Sequence, residues 1–110
     1  MTFKEILSDI INIAPSDFFH DNMYDPEYYP DVTKMIASLQ ENCIEYKVVD
    51  SYGGEGDGER YYRIYSFTKD NETLYVKFDG WYASYVGAEY SEWFFVEPYE
   101  KMVIDYRKVD

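Results

Sequence analysis

The spacing of hydrophobic positions changes period near residue 43. Before it, apolar residues recur every three or four positions; after it, they alternate. Phe3, Ile6, Leu7, Ile10 and Ile13 mark a first helix that Pro15 stops. Thr2 and Glu5 have the spacing of a capping box, in which hydroxyl and carboxylate each accept from a backbone amide. Residues 16–30 hold Phe18, Phe19, Tyr24, Tyr28 and Tyr29 among acids and two prolines, which predicts an ordered loop with one helical turn. Asp31 is a good N-cap for a second helix, with Val32, Met35, Ile36 and Leu39 on one face and an end near Glu41 or Asn42.

Beyond Cys43, Ile44, Tyr46 and Val48 alternate with Glu45 and Lys47, the signature of a half-buried strand. The glycine-rich stretch at residues 53–58 cannot hold regular structure. Strands are predicted at 60–67 and 74–78, with a turn at 69–72 between them. Asp79-Gly80 reads as a hairpin turn, because glycine tolerates positive φ. Strands at 81–85, 93–97 and 102–109 complete the series, with a turn at Val86-Gly87. Short connections require mostly antiparallel pairing. The expected fold is one α+β domain spanning residues 1–110: two N-terminal helices packed on one face of a mostly antiparallel sheet of four to six strands. Residues 1–42 form its helical, acidic part and 43–110 its sheet.

Leu74, Val76 and Phe78 point to one face, while Tyr75, Lys77 and Asp79 point to the other. The preceding strand is ambiguous, since Tyr62, Ile64 and Ser66 oppose Tyr61, Arg63, Tyr65 and Phe67. The uncovered face would carry tyrosines among Arg63, Lys47 and Lys77. Such a face is either a solvated set of cross-strand pairs or a protein-docking surface, because tyrosine, tryptophan and arginine dominate binding hot spots.

Composition narrows the partners. Aromatic residues make up 21% of the chain, 14 of them tyrosines, enough burial to fold. The formal charge of −12 disfavours nucleic acid and anionic membranes as direct ligands. Residues 1–32 carry seven acids against Lys4, and residues 41–60 carry six against Lys47 and Arg60, so ten of the twelve excess charges sit in two stretches. If adjacent in space, they would steer a basic partner. One cysteine allows no internal disulfide, no signal-peptide pattern opens the chain, and apolar runs fall far short of the ~20 residues that span a bilayer. A cytoplasmic protein is expected.

Candidate chemistry is sparse. Cys43 and His20 are the sole thiol and imidazole and lie in different elements. Asp17, His20 and Asp21 share one turn and could ligate a metal, but an acid-rich loop produces such a trio readily. The Gly53–Gly58 loop lacks the lysine and following helix of a phosphate cradle, and its acids would repel phosphate; its spacing is not that of a calcium loop. No cofactor, metal or catalytic residue is assigned. Trp81, Tyr82 and Tyr85 cluster in sequence; Trp81 reads as a core residue, with an exposed stacking platform as the alternative.

The run Ser51-Tyr-Gly-Gly-Glu-Gly-Asp-Gly-Glu59, then Phe78-Asp-Gly-Trp-Tyr-Ala-Ser-Tyr-Val-Gly87, Val96-Glu-Pro98 and a closing Val103-Ile-Asp-Tyr106 resembles small tailed-bacteriophage proteins of uncharacterised function. The resemblance covers the C-terminal 60 residues or so. It implies a phage setting in the bacterial cytoplasm and no catalytic residues. The first expectation is therefore a non-enzymatic accessory protein that binds and modulates a host protein, its acids imitating nucleic acid. The protein-binding candidates are Asp17, Asp21, Asp25, Glu27, Asp31, Glu55, Asp57, Glu59, Trp81, Tyr82 and Tyr85. The alternative is an assembly module that self-associates, as a homodimer for instance, or docks through an aromatic sheet face. A small hydrolase or metal-dependent enzyme comes third.

Overall fold

A computed structural model describes residues 1–53, 59–83 and 87–98. Helix α1 spans Phe3–Ile11, α2 Pro15–Phe19 and α3 Pro30–Glu41, with a 3-10 turn at Asn22–Tyr24. Strands β1 (Glu45–Tyr52), β2 (Glu59–Lys69), β3 (Glu72–Ala83) and β4 (Gly87–Val96) follow. They form one antiparallel sheet in the order β1-β2-β3-β4. The α+β class and antiparallel pairing are as the hydrophobic pattern predicts.

The helical layer starts as its capping box requires. Thr2 Oγ1 accepts from the Glu5 amide at 3.1 Å, and the Glu5 carboxylate accepts from the Thr2 amide at 3.2 Å. The helix ends at Ile11, earlier than its apolar run, and Ile13 is exposed. Helix α3 begins at Pro30, with Tyr29 as N-cap, so Asp31 lies inside the first turn rather than capping it. There its charge favours the helix dipole.

The helix that fills the core is the shortest of the three α-helices. Phe18 and Phe19 of α2 are both fully buried. Phe18 meets Tyr65 edge-on at 5.1 Å and Phe67 at 5.6 Å, and stacks on Phe78 at 4.9 Å. Each such pair adds about 0.5–1.5 kcal/mol beyond burial. The segment expected to be mostly loop is thus the plug between helices and sheet. Leu7, Ile11, Val32, Met35 and Leu39 close the core from α1 and α3. Trp93 Nε1 donates to Asn12 Oδ1 at 3.1 Å, tying β4 to the end of α1.

Two predicted breaks are absent from the described strands. Asp79-Gly80 is the interior of β3, not a turn, and residues 81–83 continue that strand. The predicted 93–97 strand is the end of β4. Gly80 is there for space: a Cβ on it would collide with the Glu89 carbonyl and stand 2.6 Å from the Phe19 ring. A glycine within a strand commonly marks such close approach. The real turn at 69–72 is as predicted, with Asp70 at φ 55°. The predicted 102–109 strand, the glycine-rich 54–58 loop and the 84–86 connection lie outside the described residues.

The ambiguity of β2 resolves toward Tyr61, Arg63, Tyr65 and Phe67 as the helix-side set. Tyr65 and Phe67 are buried. Arg63 therefore leaves the open face on which it was expected and contacts the end of α2 instead.

Candidate functional site: the open sheet face

Strand alternation gives the sheet a second face over which none of the described helices packs. Its register begins with a fault in β1. Val48 pairs with Tyr65 but Asp50 pairs with Ile64, so Val49 is an extra residue in a bulge. The bulge shifts parity beyond it, so that Asp50 and Tyr52 come onto the open face; Val48, expected to be half-buried, keeps its register opposite Tyr65 but is 42% exposed on this edge strand. Tyr52 stacks on Tyr62 at 5.6 Å with 14° between the rings.

Tyr62 is the hub of this face. Lys77 Nζ lies 4.1 Å from its ring centroid and the Arg60 guanidinium 5.6 Å. Both distances suit cation–π attraction, worth about 0.5–1 kcal/mol at exposed sites. Arg60 also reaches both Asp79 carboxylate oxygens, at 3.3 and 3.4 Å. Solvent limits that pair to a fraction of a kcal/mol, so it orders the arginine more than it stabilises the fold. Tyr62, Ile64, Tyr75, Lys77, Val49 and Val96 help line a shallow groove of about 530 Å³. Around it Tyr52 is 56%, Trp81 51% and Phe94 36% exposed.

Trp81 is thus a surface residue, which overturns its reading as core. Its strand neighbour Tyr82 does not join it. Tyr82 stacks on Tyr61 at 6.3 Å, the partner of Gly80 on the helix side. Tyr85 lies outside the described residues.

The acidic candidates separate into several environments. Asp21 adopts the left-handed conformation (φ 59°), which aspartate tolerates, and faces Arg63 at 3.6 Å. The Tyr65 hydroxyl donates to its other oxygen at 3.4 Å. Arg63 Nε donates to the Phe19 carbonyl at 3.1 Å, satisfying one of the orphan acceptors at the end of α2, and its terminal nitrogen donates to the Tyr61 hydroxyl at 2.6 Å. Burial, reinforced by the Asp21 carboxylate, pushes the Tyr65 phenol well above its ordinary value. Asp17 accepts from Asn22 at 2.8 Å. Asp25 closes the 3-10 turn, half-buried, whereas Glu27 and Asp31 are exposed. Glu55 and Asp57 lie outside the described residues; the backbone of Glu59, the first residue of β2, pairs with Tyr82 of β3.

The residues weighed for chemistry have local surroundings of their own. His20 closes α2 and meets Phe19 edge-on at 4.9 Å; desolvation there holds its pKa below the ordinary value, with Asp17 pulling the other way. Cys43 is exposed at the corner between α3 and β1, with φ 57°. Among the described residues no group of three or more His, Cys, Asp or Glu side chains could hold a metal ion, and no helix is long and apolar enough to cross a membrane.

The sequence reading missed Tyr52, Tyr62 and Phe94 as site residues and placed Arg63 on the wrong face. The alternation of β2 leaves no mark of this, because both of its sets contain tyrosine and Ser66, which shares a face with Tyr62, is itself buried. The bulge at Val49 leaves none either. Comparisons with protein-family models, curated proteins and solved structures returned no match.

Proposed function

We propose that this protein is a non-catalytic interaction module that works through the open face of its sheet. The observation that carries this reading is the Tyr52–Tyr62 stack with Lys77 against the same ring, surrounded by exposed Trp81 and Phe94. Aromatic side chains held rigidly by neighbours lose little entropy on binding, which is what makes them anchors at protein interfaces. With the resemblance to tailed-phage proteins, the partner is a host or phage protein in the bacterial cytoplasm.

A second reading uses the helical layer. Glu27 and Asp31 are exposed near the start of α3, and residues 1–42 hold eight acids against Lys4 and Lys34. These charges would attract a basic surface in the manner of a nucleic acid mimic. The neutralising contact of Asp21 with Arg63 favours the sheet face over this alternative.

Immobilised full-length protein exposed to bacterial lysate tests the choice. Trp81→Glu and Tyr52→Glu should lose the retained protein, while Glu27→Gln and Asp31→Asn keep it. The reverse pattern, with retention falling steeply as salt rises, supports the acidic surface and overturns the sheet-face reading.

A further inference from the structure

We infer that the open face pairs with the same face of a second copy of this chain, giving a symmetric four-layer dimer of helices, sheet, sheet and helices. This deepens the interaction reading above and rests on it.

Charge placement selects the partner. By strand register the open face carries Lys47, Arg60 and Lys77 among Glu45, Asp50, Asp79, Glu89 and Glu92. Its formal charge is −2, against −6 for residues 1–42 and −12 for the whole chain. Two copies approaching by their helical layers would bring eight acids on each side together. Two copies meeting by their sheets would instead hold those layers at the outside. Packed sheets lie about 10 Å apart, so with each helical layer about as far again behind its sheet the acidic layers are separated by roughly 30 Å. That is several times the screening length of ~8 Å at physiological salt, so their repulsion is small.

Size sets the strength. Four strands about 4.8 Å apart and about nine residues long present roughly 570 Å². Two such faces bury roughly 1,100 Å², near the lower limit for stable interfaces, so the dimer should be weak, in the micromolar range. The inner strands put Tyr62, Ile64, Tyr75 and Lys77 at the centre, with Tyr52 beside Tyr62 on edge strand β1, Phe94 beside Lys77 on edge strand β4, and Trp81 toward one end.

Sedimentation equilibrium of the full chain across micromolar concentrations tests the pairing. The expected result is a reversible rise toward twice the 13.2 kDa chain mass. Phe94→Glu and Trp81→Glu should each weaken association at least about tenfold, the loss of one anchor. Glu27→Gln, on the helical layer, should leave it unchanged. Circular dichroism checks that each variant folds; if Phe94→Glu does not, the more exposed Trp81→Glu decides. A chain that stays monomeric at every concentration overturns the inference. If that monomer still retains a foreign protein through Trp81, the sheet-face reading stands and only self-pairing falls. If it retains none, both fall. Association that Trp81→Glu and Phe94→Glu leave intact also overturns the pairing.

Discussion

The ring of Phe19 lies against the backbone of Gly80 so closely that a Cβ on the glycine would stand 2.6 Å from it. The same Cβ would collide with the Glu89 carbonyl across the strand pair. The carbonyl is backbone, and the tip of the Phe19 ring, fully buried, has little room to give way. Gly80→Ala should therefore destabilise by about 1–3 kcal/mol, the usual cost of overpacking. Phe19→Leu in the same chain should recover only part of that loss, because the carbonyl contact persists. Urea unfolding of the two single variants and the double variant measures this; equal stability of Gly80→Ala and the parent would remove the packing role given to the glycine.

Phe18 meets three aromatic rings from two strands, and its side chain is fully buried. Phe18→Ala should cost about 3–5 kcal/mol, combining lost transfer energy with a cavity under the sheet. A domain this small commonly has about 5–15 kcal/mol in total, so the variant should be marginal or unfolded at ambient temperature. Thermal unfolding followed by near-ultraviolet circular dichroism reads the loss directly.

Arg63 serves three acceptors at once: the Phe19 carbonyl, the Tyr61 hydroxyl and the Asp21 carboxylate. Arg63→Met leaves these groups without their donor and should cost about 1–3 kcal/mol. The upper part of that range is not expected, because Asp21 retains 39% side-chain exposure and water can replace part of the contact. Arg63→Lys should recover little, since one ammonium cannot reproduce a planar fork. A double-mutant cycle with Asp21→Asn should give a coupling of about 0.5–1 kcal/mol; a coupling of zero would make the ion pair incidental.

The helices were legible because their signals are local. A capping box and a period of 3.6 specify α1 whatever lies above it, and Leu7 and Ile10 are buried as their spacing requires. Asp79-Gly80 misled for the same reason in reverse: a strong local turn signal was overridden by a long-range need, room for a ring sixty residues earlier in the chain. The faces of β2 were obscure because both alternating sets contain tyrosine. Only helix packing, through Phe18 on Tyr65 and Phe67, separates them. The open face was legible as a class but not as a site, because the Val49 bulge decides that Tyr52 meets Tyr62.

Alkaline pH should probe the buried phenols. Burial raises the pKa of Tyr65 first of all, with Asp21 adding to the shift, and burial also raises Tyr46 and Tyr90. In the unfolded chain these groups ionise near the ordinary value of about 10. Below that pH both states hold the proton and stability is at its full value. Above it the unfolded chain releases protons that the folded state keeps, so stability falls as pH rises. Urea midpoints should therefore decline between about pH 9.5 and 11.5. Tyr65→Phe should flatten part of that decline, because one group with a raised pKa is gone, and at pH 7 it should cost only about 1 kcal/mol for the lost hydrogen bond to Asp21. Tyrosinate absorbance gives an independent reading: the Tyr65 phenol should ionise only as the chain unfolds. A Tyr65→Phe variant whose midpoints fall as steeply as the parent's would show that the buried phenol is not what links this fold to alkaline pH.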